Sequence, residues 1–220
     1  MMKIRSLFQL SLKAPTENMK RLIIKAFVLV TALMVANSVL AVEVGTPAPE
    51  FTGTDITGKT VKLDDYKGKI VVIESYNSDC PFCNNHYKTG AMQALQNDLA
   101  AKGVVWLIVN SVNPAHKSHR TPEQAKKEMA DKKIVADAWI DDGSGAIAHL
   151  YGMKTTPQMF VIDKGGNLVY DGAIDDQPDT SHDPAKAHNY VREAVDEVIA
   201  GKPVAVSKTK PYGCSVKYAD

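Results

Sequence analysis

Cysteine is scarce in this chain, with three residues in 220. That excludes a small scaffold held together by a disulfide framework. An excess of one charge is missing too: 26 basic residues face 25 acidic ones, a formal net of +1. With residues 1–41 set aside, 20 basic residues face 24 acidic ones, a net of −4. A mildly acidic body gains nothing from a phosphate backbone, so nucleic acid is not an expected partner. Aromatics are few, at 7%, and the sequence carries no internal repeat, no low-complexity stretch and no linker long enough to divide it. What is there is 45% hydrophobic and 23% charged, an ordinary globular composition in a chain long enough to bury a core.

Long hydrophobic runs are also lacking. The most apolar stretch, Ala26 to Val35, follows Lys20, Arg21 and Lys25, turns small and polar at Ala36-Asn37-Ser38, and ends Val39-Leu40-Ala41. As a helix, Ala26 to Ala41 would rise only ~24 Å at about 1.5 Å per residue, short of the roughly 30 Å hydrocarbon core. A positive start, a short apolar middle and a small-x-Ala finish make residues 1–41 an expected secretory signal peptide, with Met19 an alternative start and an uncleaved anchor the competing reading. Residues 42–220 are then one exported domain, periplasmic or secreted, with no membrane contact after cleavage.

Within that domain the pattern of apolar residues predicts alternating elements. Lys59–Leu63 alternates as a short strand, and Ile70–Ile73 runs apolar into Glu74-Ser75-Tyr76 as a strand buried on both faces. A helix opens at Cys80-Pro81 and ends at Gly103, with Tyr87, Ala91, Leu95 and Leu99 as its buried stripe and Gly90 inviting a kink. Val104–Val109 is a second buried strand. Thr121–Lys132 is a polar helix, Ala136–Ile140 a brief strand and Ala146–Tyr151 a short helix. Gln158–Ile162 and Asn167–Asp171 form a hairpin, and Ala185–Ala200 is the closing helix. This order implies an α/β layer fold whose central sheet is mixed, parallel first and antiparallel at the hairpin, flanked by helices.

The chemistry sits at Cys80-Pro81-Phe82-Cys83. Two cysteines this close enclose too small a ring to restrain much of the unfolded chain. They do place one thiol at a helix N-terminus, where the dipole and free N–H groups favour thiolate, with the second sulfur in reach to resolve a mixed disulfide. That is the minimal machinery of thiol–disulfide exchange. A zinc site from Cys80, Cys83, His86 and Cys214 is the structural alternative. The export signal and the strand–Cys-x-x-Cys–helix context favour the redox reading.

Here the sequence resembles a known family. Gly45-x-x-Ala48-Pro-x-Phe51, Asp64-x-Tyr66-x-Gly68-Lys69, a buried strand and then Cys-x-x-Cys are similar to the thioredoxin-like redoxins, which include peroxiredoxins and exported thiol–disulfide oxidoreductases. Tyr151-Gly152, Thr155-Thr156-Pro157 before a strand, Tyr170-x-Gly172 and the ending Gly213-Cys-Ser-Val-Lys-Tyr218, which resembles one peroxiredoxin-like subgroup, extend the likeness over nearly all of residues 42–220. The resemblance implies a thioredoxin-like fold and an exchange enzyme that needs no cofactor or metal beyond its cysteine pair. Its partners would be protein or peptide disulfides and thiols, together with a redox partner protein. Cys80 matches the nucleophile, Cys83 the resolving thiol and Pro157 the cis-proline facing them. The Thr156 backbone is then placed to pair with a substrate strand, and Glu74 matches a buried acid that relays a proton to the resolving thiol.

The sequence also departs from the family. Asp79 stands where thioredoxins carry Trp, and a carboxylate there is expected to raise the Cys80 pKa. Ile73 and Asn77 replace the Pro and Thr that frame the peroxidatic cysteine of peroxiredoxins, which weakens the alternative of an antioxidant thiol peroxidase. A copper-binding chaperone of the same fold is a further alternative, against which the tight cysteine spacing counts. Gly143-Ser-Gly145-Ala-Ile-Ala148 mimics a dinucleotide fingerprint, but its helix is too short for a βαβ unit. His116-Lys-Ser-His119 reads as a solvated loop. Cys214, an odd thiol in an exported chain, is a candidate auxiliary thiol. It is expected to be dispensable for exchange, because Cys80 and Cys83 already form a couple.

Overall fold

The computed structural model describes residues 42–219; the expected signal segment, residues 1–41, lies outside them. Nine strands are found among the described residues: β1 Thr52–Asp55, β2 Thr60–Lys62, β3 Val71–Ser75, β4 Val105–Asn110, β5 Ala138–Asp141, β6 Thr155–Thr156, β7 Gln158–Ile162, β8 Leu168–Gly172 and β9 Cys214–Ser215. The helices are α1 Pro81–Lys88, α2 Ala91–Ala101, α3 Pro122–Asp131, α4 Ala146–Tyr151 and α5 Tyr190–Ile199. Seven strands make one sheet in the order β2-β1-β5-β4-β3-β7-β8, and β6 pairs with β9 apart from it. β3 and β4, buried at every position, take the centre because only a site covered on both faces suits unbroken apolar runs. They pair in parallel, as β4 does with β5, while β7 and β8 add antiparallel to the other side of β3. The sheet is thus mixed and flanked by helices, as the element order implied.

Alternation along the central strands divides the core in two. Val71, Ile73, Val105, Leu107, Val109, Phe160 and Ile162 point to the face covered by Ile147, Ala148 and Tyr151 of α4. Val72, Trp106, Ile108, Met159 and Val161 point to the face covered by α1, α2 and α5, and Cys80 and Cys83 belong to that second cluster. Glu74 follows Ile73 and so faces the cysteine side.

Some elements differ from expectation. The single helix from Cys80 to Gly103 is two helices, because Gly90 adopts φ 80° and caps α2 in the left-handed region. The closing helix starts at Tyr190 rather than Ala185; Asn189 is its N-cap, accepting from the Arg192 amide at 2.8 Å. β1 was not anticipated, since it reads Thr-Gly-Thr-Asp. It fits beside β5 because Gly53 has no Cβ; one there would collide with the Ile140 side chain. No described helix is long and apolar enough to cross a membrane.

Candidate active site

Cys80 is the N-cap of α1, in extended conformation, with Pro81 at the first helical position. A tight turn presents it: the Cys80 amide donates to the Asn77 carbonyl at 3.0 Å, and the Asp79 amide to Asn77 Oδ1 at 3.0 Å. The Thr156–Pro157 peptide is cis, and Cys80 Sγ lies 2.8 Å from the Thr156 carbonyl oxygen. Both cysteines are withdrawn from solvent, at 1% exposure for Cys80 and 0% for Cys83.

Their electrostatics separate them. The Cys83 thiol, hydrogen-bonded to the Cys80 sulfur, lowers Cys80 to about 4 against the opposing effect of burial, helped by the Thr156 side chain and the backbone amides of Cys83 and Cys214. Burial first, then the hydrogen bond and charge of Cys80 and the charge of Glu74, push Cys83 well above the ordinary thiol range. One sulfur is therefore poised as thiolate and the other held as thiol, the asymmetry that exchange needs.

Glu74 is fully buried on β3. Its Oε2 accepts from Tyr87 Oη at 2.8 Å and from Trp106 Nε1 at 2.9 Å, while Oε1 has no partner among the described residues. Burial pushes the carboxyl up to about 7, against the two hydrogen bonds and the nearby Lys132 charge. It is close enough to raise Cys83, and a carboxyl poised near neutrality can take and return a proton.

The Asp79 carboxylate is paired with Arg120, whose guanidinium also lies 3.5 Å from Glu128, and Cys80 is lowered, the direction its place at a helix N-terminus favours. Asn77, whose Oδ1 and carbonyl accept in the turn before Cys80, is a carboxamide and brings no hydroxyl to the position of the peroxiredoxin Thr. The open mouth beside Cys80 is lined by Asp79, His116, Lys117, Cys214 and Lys217.

Cys214 is brought to the same place. β9 pairs antiparallel with β6 so that Cys214 stands opposite Thr156, whose carbonyl meets Cys80 Sγ. Burial, then the nearby Cys80 sulfur, raises Cys214 to about 11, with Lys217 opposing. Just upstream, Tyr212 packs its ring 5.8 Å from that of Phe82 and donates to Asp175. Asp175 also lies 3.0 Å from His182 Nε2 and 3.8 Å from His86 Nε2, and His86 Nε2 is 3.3 Å from Tyr212 Oη.

The four-residue zinc set therefore does not converge, because His86 turns to Asp175 and Tyr212 instead of to the cysteines. His86, Asp175 and His182 are the group among the described residues with ligand atoms close enough for a metal. His182 and Tyr212 hydrogen-bond Asp175, and His86 hydrogen-bonds Tyr212. Burial lowers His86 to about 4, so it is neutral at neutral pH.

The dinucleotide mimic is closed off, since Asp142 already accepts from the Ile147 and Ala148 amides at 3.1 and 2.9 Å. His116 and His119 each engage nearby backbone. Sequence reasoning missed Tyr87 and Trp106 as donors to Glu74, Arg120 as the partner of Asp79, and the His86–Asp175–Tyr212 network. Only Tyr87 carried a signal, lying one helical turn beyond Cys83 on the buried face of α1.

Residues 44–171 match the sequence profile of the AhpC/TSA family. The thiol-disulfide oxidoreductase ResA of Bacillus thuringiensis subsp. konkukian is 29% identical over 127 residues, which span 58% of this chain and 68% of that protein. The crystal structure of a hypothetical protein from Sinorhizobium meliloti superposes with a TM-score of 0.71 at 26% identity, covering 82% of this chain and 97% of that one. A candidate thiol:disulfide interchange protein, DsbE, from Chlorobium tepidum superposes with a TM-score of 0.51 at 25% identity, covering 73% and 98%. The thioredoxin-like fold expected from the motifs is the fold observed.

Proposed function

This chain belongs to the AhpC/TSA family, and from that premise we propose that it is an exported thiol–disulfide oxidoreductase working through Cys80 and Cys83. The observation that carries the reading is the opposite poise of two buried sulfurs, one of which meets the Thr156 carbonyl: Cys80 lowered to about 4, Cys83 raised. The Cys80 thiolate attacks a sulfur of a protein or peptide disulfide, forming a mixed disulfide and releasing one substrate thiolate. Cys83 then gives up its proton towards Glu74 and attacks Cys80 Sγ, which frees the second substrate thiol and leaves a Cys80–Cys83 disulfide. Run backwards, the same steps oxidise substrate thiols, and a redox partner protein resets the pair. The basic, apolar and small-x-Ala order of residues 20–41 supports export.

Reduction of a peptide disulfide by purified protein tests this. Cys80→Ser is expected to abolish turnover. The double variant Cys83→Ser/Cys214→Ser is expected to accumulate a mixed disulfide on Cys80, seen as an adduct in the intact mass. Normal turnover by the double variant would remove Cys83 from the mechanism.

A further inference from the structure

β6 has two residues and, among the described residues, one partner, β9. Its Thr156 carbonyl lies against Cys80 Sγ. Any strand laid on this edge delivers the residue opposite Thr156 to Cys80, and main-chain pairing of this sort is how an extended peptide is added to a free edge. Here the residue delivered is Cys214, in register with Thr156, whose Oγ1 donates to the Cys214 carbonyl at 3.4 Å.

The segment is built to sit there. A Cβ on Gly213, which has φ 139°, would run into the Thr156 carbonyl, so only glycine allows the approach. Upstream, Tyr212 is tied to Asp175 and His86. Downstream, the Val216 amide donates to the Lys154 carbonyl at 3.2 Å, Asn113 binds the carbonyls of Lys217 and Tyr218, and Tyr218 Oη donates to the Met153 carbonyl at 2.7 Å. Cys80 and Cys83 are buried, whereas Cys214 is half-buried at the mouth.

We propose that the C-terminal strand Cys214–Ser215 is an internal substrate strand, seated on the Thr155–Thr156 edge so that Cys214 exchanges disulfides with Cys80. This rests on Cys80 being the nucleophile, as proposed above. A substrate strand must displace the tail to reach Cys80. When the tail returns, the Cys214 thiolate attacks Cys80 Sγ. The Cys80–substrate S–S bond breaks, a Cys80–Cys214 bond forms, and the substrate sulfur leaves as thiolate and takes up the proton Cys214 gave up. Cys83 opens the new bond in the same way, leaving a Cys80–Cys83 disulfide and a Cys214 thiol. The number of disulfide bonds is conserved throughout, so no further oxidant is required. Cys214 thereby acts as a second resolving thiol that expels substrate and competes with it for one edge.

The test treats full-length Cys83→Ser protein with oxidised glutathione. The expected product is a monomer two hydrogens lighter, with no glutathione retained and the Cys80 and Cys214 peptides linked. A stable glutathione adduct on Cys80 with Cys214 still open to alkylation would overturn the inference while leaving Cys80 as nucleophile. Failure of Cys80 to react at all would overturn both readings. A second variant, Gly213→Ala, separates the strand from its thiol. It is expected to abolish the linkage and to speed alkylation of Cys80 by iodoacetamide on the order of tenfold, the effect of losing about one hydrogen bond. Cys214→Ser, which keeps the strand, is expected to leave that alkylation slow. Equal rates in Gly213→Ala and the parent protein would refute the seated tail.

Discussion

Glu74 concentrates two consequences in one side chain. In the fold its proton is held up to about 7, whereas an unfolded chain releases it near the ordinary 4.5. Between those values the folded state binds more protons, so this contribution to stability is full below about 4.5 and is lost as pH rises towards 7. Glu74→Gln carries no such proton. Urea unfolding of the oxidised proteins at pH 5 and pH 8 is expected to show the wild type losing up to about 3 kcal/mol relative to the variant as pH rises. In the mechanism proposed above the same substitution removes the acceptor of the Cys83 proton, so single-turnover resolution at pH 7 is expected to slow while Cys80 attack is unaffected. The sequence showed Glu74 as a lone carboxyl in an apolar strand; it did not show Tyr87 and Trp106, because donors that converge from α1 and β4 have no common spacing along the chain.

Among the elements, the break between α1 and α2 decides how Cys80 is carried. Splitting the segment at Gly90 lets the short α1 hold the cysteines while α2 packs Met92, Leu95 and Leu99 into the core. A Cβ at Gly90 would meet nothing within 4 Å, so the cost of Gly90→Ala comes from its φ of 80° alone. That substitution is expected to lower unfolding free energy by about 1 kcal/mol, readable as a drop in Tm, without altering the Cys80 reaction rate. Central strands and the hairpin were legible because apolar runs and a Gly-Gly turn mark them directly. β1 was illegible because its place beside β5 depends on a missing side chain at Gly53, and the start of α5 was misplaced because the Asn189 cap outweighs the helix-forming Ala185 and Ala187 upstream.

At the scale of the molecule, the sequence showed the Cys80–Cys83 couple and the Thr156-Pro157 edge but not what lies on that edge. Cys214 is far from them in the chain, and two-residue strands such as β6 and β9 leave no periodic trace. The partner of Asp79 was illegible for a related reason, since Arg120 arrives from the loop before α3. The hydrogen bond from Trp106 to Glu74 has an optical consequence. The chain has two tryptophans, Trp106 and Trp139, and both lie in the core cluster that holds the cysteine pair. An indole whose N–H faces a carboxyl that ionises near neutrality makes emission a native gauge of that proton. Fluorescence of the reduced protein is therefore expected to follow a sigmoid in pH with its midpoint near 7, and to lose that sigmoid in Glu74→Gln, so the charge state of the buried acid can be followed without any added dye.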